Sequence, residues 1–415
     1  MKVNTYILIV GRGFKSLINY LDNHNLDYIV LQDSRLISSK GPLKPNHILC
    51  DFSSKEAILK TADSLNKPSA LICTYENYIL PAAWLSQHFG LPGLSEEAAR
   101  ACTDKELMRE KFAKSPQPIS PDFRVVKSKS DLEEFADSHD FPLILKPANL
   151  SKSMLVHKCH NIKELMNAYE RTIKAMPAIY AKYAPNATPK LLVEEFMSGS
   201  IHSVDAFVDA NGSVHTLDAV VDYKTGYDVG YDDNFHYSRS LPSKLTPDQQ
   251  SALRQVAELG CQALGITSSP AHIEIIMTNK GPRIVEIGAR NGGYRERMHA
   301  AANGIDVTAN ALALALNHPL DVIAKRHDAM EVLELFPKVS GHFLGLSNED
   351  SLRKLPSLSY LSIKAKAGQF VGSSSAGHKA VAIIFLHHTD AQVVSKDLDY
   401  INRHVGVKTD GSISN

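Results

Sequence analysis

Three consecutive stretches decide how this chain folds: His272-Ile273-Glu274-Ile275-Ile276-Met277, Thr278-Asn279-Lys280-Gly281-Pro282, and Arg283-Ile284-Val285-Glu286-Ile287-Gly288-Ala289-Arg290. Two runs rich in β-branched residues flank an Asn-Lys-Gly connection, which is a hairpin signal. A three-residue loop, Asn279 to Gly281, with glycine in the left-handed conformation, sets Thr278 opposite Pro282. That register puts Glu274 opposite Glu286; a two-residue loop would put them on opposite faces. Directly opposed carboxylates have Cβ atoms only ~5 Å apart and repel. A cation between them removes the conflict, and oxygen-only ligation on a rigid hairpin suits Mg²⁺ or Mn²⁺, with nucleotide phosphates completing the shell. Arg290 extends positive charge toward the same face, where a phosphoryl group would lie. In Asn291-Gly292-Gly293-Tyr294-Arg295, the paired glycines let backbone N–H groups approach an anion. The alternative is two glutamates on the wet face of an ordinary strand pair, followed by a plain loop. The conjunction of both features favours a metal-and-phosphate site.

Working outward, 415 residues are enough for two to four structural units and a large core. Forty-five basic and 45 acidic residues cancel, so charge makes no case for nucleic acid or a membrane surface. Five scattered cysteines, Cys50, Cys73, Cys102, Cys159 and Cys261, form no CxxC pair, which points to a reducing cytosol and no structural zinc. No stretch approaches the ~18 apolar residues of a membrane span. A cytoplasmic globular protein is expected.

Residues 1–100 alternate strand and helix, with strands at Tyr6–Val10, Tyr28–Leu31 and Ala70–Thr74 and a helix at Phe14–Asn23, the pattern of a parallel βαβ unit. Gly11-Arg12-Gly13 and Asp33 partly match a dinucleotide fingerprint, but Ser16 stands where the third glycine belongs, which favours a tight turn. A charged helix is expected over Glu106–Lys114, and strands at Phe123–Val126, Phe141–Pro147 and Leu191–Phe196, the second carrying Lys146 before a proline. Asp218–Ser243 has few apolar residues and is expected to be a long functional loop. Pro247–Leu264 has helical periodicity, capped by Thr246 and stopped by Gly265. Beyond about residue 325, short strands and turns are expected.

Lys105, then Leu143-Ile144-Leu145-Lys146-Pro147, then Val193-Glu194-Glu195-Phe196-Met197-Ser198-Gly199, then Glu274, Glu286 and Arg290 form an ordered set that resembles the ATP-grasp superfamily. The match is closest to its carboxylate–amine (amino-acid and dipeptide) ligase branch, over roughly residues 1–325. The resemblance implies an α/β architecture: a Rossmann-like domain over 1–100, a first ATP-grasp subdomain or lid over 101–190, a second over 191–325 with the metal and substrate site, and a small C-terminal α+β domain over 326–415. It also implies that Glu194 and the backbone of Glu195, Phe196 and Met197 read adenine, and that Lys105 and Lys146 neutralise phosphates. Ser151 and Ser153 would donate to phosphate from a loop, 148–154, that lacks the family's usual glycines. Where a ribose-binding carboxylate is usual stands Ile201, for which His202 or Asp205 would substitute; Gly288 replaces a frequent asparagine ligand.

On this reading ATP converts a carboxylate to an acyl phosphate, which an amine attacks to give an amide and ADP. Glu274 and Glu286 would hold Mg²⁺ (or Mn²⁺), and Arg290 would stabilise the transferring phosphoryl group and then the tetrahedral intermediate. Gly292 and Gly293 would cradle the substrate carboxylate, with Tyr294, Arg295 and Lys224 around the substrate. A zwitterionic amino acid fits a site with both arginines and acidic residues. The partners are therefore small-molecule carboxylates and amines, and a homodimer is a family expectation. Three alternatives stay open: a thiol or bicarbonate co-substrate, a nucleotide-binding regulatory module without turnover, and a dinucleotide oxidoreductase built on Gly11 to Asp33.

Overall fold

The computed structural model describes residues 5–36, 43–150, 154–184 and 187–412. Its first unit is a four-stranded parallel sheet in the order His47–Cys50, Tyr28–Asp33, Ile7–Gly11, Ala70–Cys73. Ile7 to Val10 are buried throughout, as a central parallel strand requires. Gly11 has φ +80°, and a Cβ there would stand 2.2 Å from the Tyr78 ring, so the turn needs glycine for space as well as conformation. The Asp33 carboxylate is taken up by Arg35 at 2.7 Å and by the Tyr78 hydroxyl at 3.1 Å.

The second unit is an antiparallel sheet ordered Phe123–Val125, Leu191–Glu195, Leu143–Pro147, His157–Cys159. Helices Lys129–Ser138 and Ile162–Tyr183 pack on it around Leu132, Phe135, Leu165 and Met176.

The third unit is a nine-stranded sheet. Its path runs Gly281–Gly288, Ser269–Thr278, Gly199–Val208, Val221–Thr225, His236–Leu241, Ala329–Leu335, Ala382–His388, Leu358–Ile363, with Val214–Thr216 paired to Gly199–Val208. The sheet therefore continues from residues before 325 into residues after it. Beyond 325 the chain also forms a helix, Ala391–His404, which the residue pattern by itself does not single out, although the resemblance implies an α+β unit there. Its Asp390 cap and its buried Val394, Asp397 and Ile401 mark it.

Two other expectations are corrected. Asp218–Ser243 is not a long loop: it contributes the paired strands Val221–Thr225 and His236–Leu241. In the first of these, Val221, Tyr223 and Thr225 are buried while Lys224 is exposed. The alternation is one of tyrosine and arginine against lysine and aspartate, so hydrophobicity alone hides it. In the hairpin, Thr278 lies opposite Gly281, not Pro282, so the connection is shorter by one residue than expected. Gly281 does take the left-handed φ, +96°. The register then shifts beside Glu274, where Val285 is the extra residue, and Glu274 comes opposite Glu286 after all. A β-bulge restores the facing that the shorter loop would have lost.

Helix Pro247–Leu264 carries the expected Thr246 cap, which Gln249 completes as a capping box, and ends at Gly265, φ +68°. It packs beneath the hairpin so closely that a Cβ on Gly260 would stand 2.4 Å from Ile284 and 2.7 Å from Ile287. That packing holds the hairpin rigid from below.

Candidate active site

Glu274 and Glu286 face each other on neighbouring strands of the large sheet and form the floor of the candidate cleft. Lys105, the first residue of helix Lys105–Phe112, places its ammonium 2.8 Å from Glu286 Oε2 and donates to the Leu150 carbonyl at 3.3 Å. Arg290 donates from Nε to Glu76 Oε2 at 2.9 Å and from Nη1 to the Asn291 carbonyl at 3.0 Å. Glu76 follows strand Ala70–Cys73, at the carboxyl end of the parallel sheet, the edge where such folds bind ligands. Gly288 leaves room for this pair: a Cβ there would lie 3.1 Å from Glu76 Oε2 and 3.3 Å from Arg290 Cζ.

The charges settle one another. The Lys105 ammonium, working against burial, holds Glu286 below the usual carboxylate range. Burial alone would raise Glu274, but hydrogen bonding from His272 and the fields of His236 and Arg290 hold it well below that range. Lys105, which burial would depress, is instead raised by Glu286 and Glu76. The two facing glutamates are thus ionised together. Two opposed anions offering only oxygen match the donor set of a hard divalent cation.

A second, deeper cluster lies toward the four-stranded sheet of the second unit. Lys146 places its ammonium 2.6 Å from Glu194 Oε2, and Arg109 donates to the same carboxylate at 3.0 and 3.3 Å. Glu194 is 2% exposed and Arg109 0%, so the glutamate's oxygens face these cations and not solvent. Burial pushes Lys146 down to about 8. Glu195 accepts the Asp122 N–H at 3.0 Å; the Phe196 ring carries the Lys158 ammonium 3.8 Å from its centroid; Met197 is half-buried beside them. Ser151 and Ser153 lie outside the described residues.

The third cluster surrounds Asp205. His272 Nδ1 lies 2.7 Å from its carboxylate, Arg295 Nε donates at 2.9 Å, and His299 Nε2 lies at 3.4 Å. Arg295, 1% exposed, also donates to Ser203 Oγ at 2.8 Å and the Tyr223 hydroxyl at 2.5 Å, so its charge is spent inside the protein. Gly292 packs directly on this cluster, since a Cβ there would stand 2.5 Å from His272 Nδ1, whereas Gly293 has open space. Tyr294 follows with φ +65° and donates to Glu334 Oε1 at 2.6 Å. Arg239 lies 5.1 Å from the Tyr294 ring and 5.7 Å from Tyr223, with Glu334 3.7 Å away.

The structure separates two candidates from this cleft. Ser203 pairs with Glu274, while His202 pairs with Ile275 and Asp222, so alternation puts His202 on the other face of the sheet. There it bonds Asp222 at 2.8 Å and Ser200 at 2.6 Å. Lys224 shares that other face and is exposed. Ile201 does lie on the Glu274 face, as does Asp205, whose oxygens are committed to the three partners above. Four cleft residues went unremarked in the sequence: Glu76, Arg109, Arg239 and Glu334. Arg109 was discoverable, because it lies one helical turn after Lys105 and one before Phe112, on the buried stripe.

Residues 139–296 match the ATP-grasp domain family. The chain is 26% identical over 248 residues to alanine–anticapsin ligase of Bacillus subtilis (strain 168), covering 58% of this chain and 52% of that protein. It is 24% identical over 273 residues to dapdiamide A synthase of Enterobacter agglomerans, covering 64% of this chain and 56% of that protein. The chain thus spans about half the length of these curated relatives. The crystal structure of an L-amino acid ligase from Bacillus licheniformis superposes with TM-score 0.82 at 17% identity, over 99% of this chain and all of that one. Among the described residues, no helix is long and apolar enough to cross a membrane.

Proposed function

We propose that this chain, an ATP-grasp protein by its domain, its fold and its kinship with amino-acid ligases, is an ADP-forming ligase that joins the carboxylate of one small molecule to the amine of another, at least one of them an amino acid. The observation that carries this reading is the Glu274–Glu286 pair, both ionised, with Lys105 and Arg290 against it. Mere nucleotide binding has little use for two opposed carboxylates.

A carboxylate resists attack because it is an anion with no leaving group. Transfer of the γ-phosphoryl group makes it an acyl phosphate, and a neutral amine then displaces phosphate to form the amide. Glu274 and Glu286 would hold Mg²⁺ or Mn²⁺, which would supply positive charge to the polyphosphate and to the transferring group. The chain's own groups do the rest by position and charge. Lys146 and Lys105 meet the phosphates, Arg290 faces the transferring group, and the hinge Glu195–Met197 borders the base. Gly292, seated on the Asp205 cluster, and Gly293 beside it would offer N–H groups to the substrate carboxylate. The cleft wall of Tyr223, Arg239, Tyr294 and Glu334 carries both signs of charge, as a zwitterion requires. Five unpaired cysteines accord with a reducing cytoplasm.

The test is Mg²⁺-dependent ADP release from ATP against pooled amino acids, with mass spectrometry of the pool. ADP with a new condensed mass supports the ligase and identifies its substrates. ATP binding without ADP release from any pool would overturn it in favour of a module without turnover.

A further inference from the structure

One guanidinium touches both halves of the proposed nucleotide site. Arg109, 0% exposed, donates two hydrogen bonds to Glu194, at 3.0 and 3.3 Å, and Glu194 in turn holds the Lys146 ammonium at 2.6 Å. The same Arg109 Nη2 donates at 2.8 Å to the carbonyl of Val285. Val285 is the extra residue of the bulge, and without that bulge Glu286 would not face Glu274. Lys146 belongs to the lid sheet, Val285 to the large sheet, and Arg109 to the helix between them. We infer that Arg109 is a positioning residue that couples the phosphate-binding lysine of the lid to the metal-binding carboxylates of the hairpin, a role that rests on the ATP-site reading above.

Bulk stability is a poor explanation for such a group. Apolar side chains fill a buried site at least as well as an ion pair, which loses its hydration on burial. Arginine's planar fork can hold one carboxylate and a carbonyl in fixed relative positions, which a lysine's point charge cannot. Arg109 Nη1 has no hydrogen-bond partner among the described groups, so the residue is placed to serve two contacts at the cost of a third donor. Lys146 is faced by Glu194, Arg109 and Lys105. Its position and its protonation therefore both depend on the carboxylate that Arg109 fixes.

The experiment measures ATP affinity, steady-state kinetics and Mn²⁺ dependence in full-length wild type, Arg109→Lys and Glu194→Gln, with thermal melting of each. Wild type must first bind ATP with Mn²⁺; if it does not, the nucleotide-site reading itself fails, separately from this inference. Arg109→Lys is expected to raise the KM for ATP and the half-saturating Mn²⁺ concentration together, each about tenfold. Glu194→Gln is expected to raise the KM for ATP and to move the alkaline limb of its kcat/KM profile to lower pH, because Lys146 loses its counter-charge. Its Mn²⁺ dependence is expected to stay put, since the Val285 contact remains. Should Arg109→Lys not fold, the double variant Arg109→Met with Glu194→Met removes both buried charges at once and is expected to fold while losing affinity for ATP and Mn²⁺ together. A folded Arg109→Lys or double variant with wild-type Mn²⁺ dependence would overturn the coupling. So would a Glu194→Gln protein whose Mn²⁺ dependence shifts as far as that of Arg109→Lys.

Discussion

Asp205 and the Glu274–Glu286 pair lie on one face of the same sheet and treat their charge in opposite ways. Asp205 is 6% exposed and surrounded by His272, Arg295 and His299, so its oxygens are consumed by the protein. Glu286 keeps 37% of its side chain exposed with Lys105 beside it, and Glu274, 18% exposed, has His272 at 3.6 Å as its one ion-pair partner among the described residues. A closed cluster fixes geometry; an open pair stays available to a cation that comes and goes. Here the closed cluster props up Gly292, and the open pair lies two residues further along the neighbouring strand, on the same face.

Breaking the closed cluster should cost most. Asp205→Asn leaves Arg295 buried without its counter-charge and is expected to lower unfolding free energy by about 3–5 kcal/mol, read from denaturant unfolding. In the open pair the expected loss is of function. Glu286→Gln removes one of the two facing carboxylate charges but little packing, so on the proposed reading kcat for ADP release should fall by roughly 10²-fold or more while the melting temperature stays within a few degrees. A variant that unfolds would erase the contrast between the two sites.

The pH profile sharpens the same contrast. On the proposed reading Lys146 meets phosphate as its ammonium, and burial puts that group at about 8. Protonation is complete well below that value and lost above it, so kcat/KM for ATP should fall about tenfold per pH unit on the alkaline side. Lys146→Arg, which cannot lose its proton in this range, should flatten that limb. The smallest effect is expected at Lys224: exposed on the opposite face, Lys224→Ala should change stability by no more than about 0.5 kcal/mol and leave the KM values alone.

What the sequence disclosed follows the physics of each signal. Helix Pro247–Leu264 was legible because its cap, period and terminal glycine are all local. The facing of Glu274 and Glu286 was anticipated from a three-residue loop, whereas the register comes from a shorter connection and a bulge at Val285. Nothing local distinguishes that valine from the β-branched residues around it; its marker is Arg109, 176 positions away. The strands within Asp218–Ser243 were hidden because they line a polar cleft, where the inward residues are Tyr223 and Arg239. His202 and Lys224 were drawn toward the site by proximity in sequence, but a single-residue step along a strand reverses the face. The closed Asp205 cluster joins residues far apart in the chain, so its partners could be known only once the sheet had formed.

The central claim is that Glu274 and Glu286 together bind a divalent cation that nucleotide binding requires. Isothermal titration of ATP into wild type and Glu286→Gln, each with and without Mn²⁺, tests it most directly. The account predicts that Mn²⁺ strengthens ATP binding at least tenfold in wild type and has little effect in the variant. Equal Mn²⁺ enhancement in both proteins would contradict it.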